Sequence, residues 1–300
     1  MEYTLGRDES VPAGIKRIID GKVATGIEHI DSDMDRHETV HEVRKRCKEV
    51  RAALRLVRTV LPTYSEENAH YRDAARRISD IRDAQALIET FDEHVTETAA
   101  GADALDAGTL SGAREELVER RETVAANQDL DGRLASVRED LVAGRQRIDD
   151  LPVATDGFDA VAGGLRKSYK RARNRMREAY EDPDAERFHE WRKRVKYHRY
   201  HTRLLRTVWV GPMKARRAEL KTLSDLIGDE HDLAVFLEAM HDEALFAPET
   251  RDTLDRVITG RRAELQRKGR LIGERVFAEE PDTLVARMRH YWDATREYET

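Results

Sequence analysis

Residues 188–206 read FHEWRKRVKYHRYHTRLLR. Seven of these nineteen residues are Lys or Arg, three are His, and Glu190 is the lone acid. The chain of 300 residues carries a formal net charge of −6, so an acidic protein gathers positive charge on one short segment. Trp191, Val195 and Leu205 recur at helical spacing, which predicts a helix with one apolar and one basic side.

The pattern occurs twice. Residues 40–58 read VHEVRKRCKEVRAALRLVR, and ten of nineteen positions match without gaps at an offset of 148. The matches are His41/His189, Glu42/Glu190, Arg44/Arg192, Lys45/Lys193, Arg46/Arg194, Lys48/Lys196, Arg51/Arg199, Arg55/Arg203, Leu56/Leu204 and Arg58/Arg206. A second block follows each copy. ISDIRDAQALIE at 78–89 aligns with IGDEHDLAVFLE at 227–238 at an offset of 149, pairing Asp83 with Asp232 and Arg82 with His231. The chain reads as two homologous halves, 1–151 and 152–300, joined near Leu151-Pro152. Each half is expected to form a bundle of about four helices. The period is far longer than solenoid periods, which favours a pseudo-twofold pair of bundles.

Each residue of an α-helix turns about 100°. With His41 at the origin, Arg44, Lys45, Lys48, Arg51 and Arg55 fall within about 80° of it. Val43, Cys47, Val50, Leu54 and Val57 fall on the opposite, core-facing side. His189, Arg192, Lys193, Lys196, Arg199 and Arg203 repeat the basic stripe. From His41 to Arg55 it runs about 21 Å. Glu42 and Glu49 are expected beside it, leaving five cations and a histidine with no acid on their face. A self-neutralising helix would place Glu four residues from Lys or Arg there. Arg72 and Lys221, at equivalent positions, are candidates to join the stripes. So are Lys16 and Lys167 on the first helix of each half, with Lys170 and Arg171 beyond.

Composition supports an all-α chain. Hydrophobic residues make up 39% and charged residues 37%, with 17 Gly and 7 Pro, and no convincing strand pattern appears. The single Cys47 excludes an internal disulfide and fits a reducing compartment. No apolar run approaches a membrane span, and MEYTLGRDES lacks a signal-peptide layout. The expectation is a soluble, cytoplasmic protein. Charge is blocked along it: −6 over 95–150, +10 over 156–217 and +5 over 40–58. Such blocks report a partner's charge more than a fold. Of 53 basic residues only 11 are Lys, and four of those are Lys45, Lys48, Lys193 and Lys196.

HEVRKRCKEVR at 41–51 and HEWRKRVKYHR at 189–199 resemble the motif of the CHAD (conserved histidine α-helical domain) family. The resemblance covers about 12–295. It implies one all-helical domain of two pseudo-twofold-related four-helix bundles with a basic central cleft. It also implies binding of inorganic polyphosphate and association with polyphosphate granules. Some members carry a CYTH triphosphatase domain; with no ExExK element near the start, this chain looks like a stand-alone CHAD protein. Two departures stand out: Ser79 occupies the place of Gly228, and segment 95–150 is long and acidic.

The physical reading agrees. Lys offers a point charge and Arg a bidentate fork, a mixture suited to a mobile polyanion. His41 and His189 would gain charge beside phosphate near neutral pH. Tyr200 faces the stripe and is a candidate phosphate donor. His198 falls among apolar positions and reads as a core histidine. His198 and His201 have metal-ligand spacing, but no partner set completes a site. Trp191 reads as core packing, and Asp83 and Asp232 as partners orienting neighbouring cations. There is no Walker loop, GxSxG or HExxH. The expectation is a non-enzymatic polyphosphate-binding protein without metal or cofactor. The alternatives are an RNA- or DNA-binding module and a metal-dependent polyphosphate hydrolase or phosphotransferase.

Overall fold

A computed structural model describes residues 2–101, 105–126 and 129–297, without the side chains of 80–84, 100, 101, 124–126 and 297. Twelve α-helices follow in order among the described residues: α1 (Val11–Asp31), α2 (Arg36–Leu56), α3 (Tyr64–Arg76), α4 (Ser79–Thr90), α5 (Thr96–Gly101), α6 (Ala107–Ala126), α7 (Leu130–Gln146), α8 (Gly157–Glu181), α9 (Ala185–Leu204), α10 (Val210–Asp242), α11 (Pro248–Val276) and α12 (Pro281–Glu297). A π-helical turn at Phe91–Val95 links α4 to α5, and a 3₁₀ turn at Arg206–Val208 links α9 to α10. The described residues contain no strand, and none of their helices is long and apolar enough to cross a membrane.

Local chemistry marks where the two motif helices begin. Asp35 accepts from the amides of His37 and Glu38 at the start of α2. Asp184 accepts from Arg187 N at 2.7 Å at the start of α9. Both carboxylates satisfy orphan amides and sit favourably at the positive end of the helix dipole. Asp156 caps α8 through Gly157 N and also accepts from Val11 N at 2.7 Å, tying the starts of α1 and α8 together.

Two apolar cores result. The larger takes Ile15, Ile19 and Val23 from α1, Val43, Val50 and Leu54 from α2, and Tyr71, Val137 and Leu141 from α3 and α7. It continues without a break into Leu165 and Tyr169 of α8, Trp191 and Val195 of α9, and Met288 and Trp292 of α12. Leu151 is itself buried in it, so shared packing fastens the halves. The second core joins Leu87, Ile88 and Phe91 to Leu117 of α6, Leu233, Phe236 and Met240 of α10, and Leu254 and Ile258 of α11. Helix α10 runs about 50 Å, long enough to serve both cores: Leu220, Leu223 and Ile227 pack in the first, Leu233 onward in the second. Within the acidic segment 95–150, Val95, Ala99, Ala113 and Leu117 pack in the second core and Leu134, Val137 and Leu141 in the first. Helix α7 also forms surface ion pairs with α1, Arg145 to Asp20 at 2.7 Å and Arg138 to Asp31 at 2.7 Å.

Helix α8 crosses α2 where Gly164 meets the end of α2. A Cβ at Gly164 would lie 1.9 Å from the carbonyl oxygen of Leu56, a backbone atom with nowhere to go. Gly164→Ala is therefore expected to cost about 3 kcal/mol through overpacking. Urea unfolding of the variant beside Gly163→Ala, whose nearest neighbour is the Thr59 side chain, measures it. A loss at Gly164 no larger than at Gly163 would overturn this account of the crossing.

Candidate anion-binding surface

The two basic helices are in direct contact. His201 Nε2 donates to the Ala52 carbonyl at 3.0 Å, inside the core. The Arg55 guanidinium lies 4.0 Å from the Tyr197 ring centre, and Arg203 Nη1 lies 3.4 Å from Glu49 Oε1. Residues 49 and 197, and 55 and 203, are equivalent at the offset of 148, so these contacts are reciprocal. Lys48 and Lys196 are equivalent too, and each lies in the other's field.

Glu49 departs from the helical-wheel expectation. It is 2% exposed at the junction of α1, α2 and α9, because α9 covers the side of α2 that the isolated wheel leaves to solvent. Its carboxylate draws Arg46 at 2.8 Å, Lys22 at 3.5 Å and Arg203 at 3.4 Å. Tyr3 Oη donates to its backbone carbonyl at 2.7 Å. One acid thus serves three cations. Nor are the stripes free of acid elsewhere. Glu42 pairs with Lys45 at 2.8 Å and with Arg46; Glu190 pairs with Lys193 and with Arg194.

The other sequence-chosen residues fall into groups. At the crossing, Lys48, Arg192, Lys196 and Arg199 lie together. Arg192 stands 3.5 Å from Asp232, one of the two acids expected to orient a neighbouring cation; the side chain of the other, Asp83, lies outside the described residues. On one side, Arg51 Nε donates to Asn68 Oδ1 at 3.3 Å and Arg55 is 8% exposed. Beyond them Arg58 faces Lys167 and Arg171 of α8. On the other side, Arg199 and Arg203 meet Arg206 and Arg217. Arg44 donates to Ala75 O at 3.2 Å and to Ser79 Oγ. Arg192 lies over Gly228, 3.4 Å from where a Cβ would stand. Ser79 and Gly228 thus seat equivalent arginines.

Some candidates are engaged elsewhere. Lys16 Nζ donates to the Asp149 carbonyl at 2.6 Å, Arg72 pairs with Asp73 at 2.8 Å, and Lys221 with Asp225 at 2.6 Å. Lys170 acts on Asp282. Tyr200 is half-buried against Tyr3, its ring centre 6.0 Å away, and packs more than it presents a hydroxyl. Trp191 is fully buried, and His198 is a core histidine accepting from Arg216 at 3.2 Å. Among the described residues no three His, Cys, Asp or Glu side chains cluster as a metal site. Sequence reasoning missed Lys22, Tyr197 and Arg217 as neighbours of the stripes. Arg58 and Arg206 were visible as identities of the repeat. Arg217 had no such signal, since Asn68 occupies its place in the first half.

Electrostatics mark the crossing as a place where protons are withheld. Burial, then Arg192 and Lys48, push the Lys196 ammonium well below the usual lysine range, with Asp232 opposing. Burial, then Lys193 and Arg192, push His189 down to about 4. His189 is therefore neutral at pH 7 before any anion arrives, since burial among cations displaces the isolated-residue value. His41, by contrast, is exposed on α2.

A lysine held in this way opposes folding. Between its lowered native value and about 10.5 the unfolded chain binds more protons, so stability rises with pH across that window. Lys196→Met is expected to raise stability at pH 7 by about 1 kcal/mol, or about 2 °C in the melting midpoint. It should also flatten the rise with pH. Calorimetric melts from pH 7 to pH 10 check this; a lowered midpoint would show that Lys196 is held by structural interactions instead.

The chain matches the family model described as CHAD domain over residues 19–241. No curated protein matches it. Among the solved structures that share its fold are two from different organisms. One, described as PptA from Streptomyces chartreusis, is 14% identical with a TM-score of 0.54, over 90% of this chain and 98% of that one. The other, the CHAD domain from the plant Ricinus communis, is 16% identical with a TM-score of 0.55, over 95% of this chain and 93% of that one. An all-helical fold, a doubled HxxRKxxKxxR helix and a family match over most of its length together mean that the chain belongs to the CHAD domain family.

Proposed function

We propose that the chain binds inorganic polyphosphate, without chemical turnover, along the surface where α2 and α9 cross. The observation that carries this reading is the meeting of like charge at Lys48 and Lys196, with Arg192 and Arg199 beside them and only Asp232, near Arg192, and Asp225, 3.8 Å from Arg199, as opposing acids. Such a grouping costs stability in the free protein and is relieved by a polyanion. Each half, 1–151 and 152–300, supplies one stripe. Arg51, Arg55, Arg58, Lys167 and Arg171 would continue the path on one side, and Arg203, Arg206 and Arg217 on the other. Association with polyphosphate granules follows from the same affinity.

The rival ligand is a nucleic acid. The aromatic residues near the stripes argue against base stacking: Tyr197 lies beneath Arg55, Trp191 is in the core and Tyr200 packs on Tyr3. A stacking platform needs an uncovered ring face. Polyphosphate requires only backbone-type anion contacts, which these cations offer.

Titration of the intact chain with labelled long-chain polyphosphate at several salt concentrations tests the proposal. A variant carrying Lys48→Ala, Arg51→Ala, Lys196→Ala and Arg199→Ala is expected to bind roughly 100-fold more weakly or worse. Its plot of log affinity against log salt should be shallower by about 3 to 4, one unit per lost contact. Excess duplex DNA should not displace the ligand from the wild type. Absence of binding at low salt would remove the function, and release of orthophosphate in the presence of Mg²⁺ would replace it with an enzymatic one.

A further inference from the structure

The two motif histidines stand in unlike surroundings. His41 is exposed on α2, within the field of Glu42. His189 is half-buried, its ring against that of His231 on α10, with centroids 4.1 Å and planes 38° apart. His189 Nδ1 is buried and has no hydrogen-bond partner among the described residues, and the same holds for Arg192 Nε beside it. These two atoms are closed to solvent; the exposed parts of His189, Arg192 and His231, each half-buried, are what an anion can reach.

Charged groups around the pair come from several helices. Helix α9 brings Glu190, Arg192, Lys193 and Lys196; α10 brings Asp232; Lys48 of α2 lies beyond Lys196. Asp229 of α10 is turned to His94, 3.7 Å away. The side chains of 80–84 on α4 lie outside the described residues. Glu190 is taken by Lys193 and Arg194, and Asp232 by Arg192. The imidazoles therefore face cations. Burial together with those cations pushes His189 down to about 4 and His231 down to about 3, so both rings are neutral at pH 7.

Resting on the polyphosphate reading, we infer that His189 and His231 form one phosphate subsite that takes up a proton as the anion arrives. A phosphate over the half-buried ring pair and beside Arg192 brings negative charge to the rings and favours one imidazolium. A second proton, on a ring in contact with the first, is opposed by like charge. The sign follows from linkage. The value of the pair is higher in the complex than in the free protein. Affinity is flat above the bound value, strengthens up to tenfold per pH unit below it, and flattens again near the free values of about 4 and about 3. In the first half the position of His231 is Arg82, a permanent charge. The second half thus carries a titratable charge where the first carries a fixed one.

Calorimetry of polyphosphate binding between pH 5 and 7, in two buffers of different protonation heat, counts protons taken up by the intact chain. The comparison is wild type, His231→Arg, and the double variant His189→Gln/His231→Gln, each checked for its helical melt. His41 is present in all three, so its contribution cancels. Wild type is expected to take up close to one proton more than either variant near pH 5. His231→Arg should bind at pH 7 at least as tightly as wild type, with up to tenfold less change per pH unit. Equal proton uptake by all three proteins, with binding intact, overturns the subsite alone. Absence of wild-type binding at every pH overturns the polyphosphate reading and the subsite with it.

Discussion

Two helices that each carry a row of cations can cross in contact only if something other than their charged faces holds them. Here the hold comes from the flank of each row. Ala52 of α2 receives the buried His201 of α9, and Arg55 lies over Tyr197. Glu49 gathers Lys22, Arg46 and Arg203 around its buried carboxylate. The N-terminal segment adds a clasp: Tyr3 bonds to the Glu49 carbonyl, and Leu5 N donates to Leu204 O at 2.9 Å. Apolar burial behind both helices supplies the bulk of the driving force, since transfer of such surface from water is the main favourable term in folding.

That arrangement explains why the surface keeps its positive field. A surface lysine or arginine beside a matching acid is close to neutral and contributes little. Lys45, Lys193, Arg72 and Lys221 are of that kind. Lys196 is not, and it stands where the two halves meet. The stability lost there is small against what two shared cores provide, so the fold tolerates a locally unfavourable site. Unfavourable charge in a well-packed place is a common signature of function.

Family membership and the geometry point the same way without being the same argument. The family match rests on the motif and its surroundings in sequence. The electrostatic case rests on which cations lie together and which are answered by acids. The doubled motif supplies equivalent residues, but the halves have diverged where it matters for chemistry. Asn68 faces Arg51 where Arg217 faces Arg199, and Arg82 stands at the place of His231. One half therefore offers a more permanently charged arm at one position and a titratable one at the other.

The sequence by itself determined the helices, their apolar faces, the repeat and the identity of most cations on the stripes. These follow from local geometry, because a turn of 100° per residue depends on nothing beyond the helix. Val43, Cys47, Val50 and Leu54 are buried as their spacing requires, and Trp191 and His198 lie in the core for the same reason. Only the tertiary structure decided which flank of each helix meets the other. That decision put Glu49 in the interior, turned Lys16 to a carbonyl, brought Arg217 beside Arg203, and stacked His189 on His231. It also set the protonation of the site, since a histidine's value depends on burial and on charges contributed by other helices. Neither burial nor a cross-helix neighbour is encoded at any one position, so both wait on the packing.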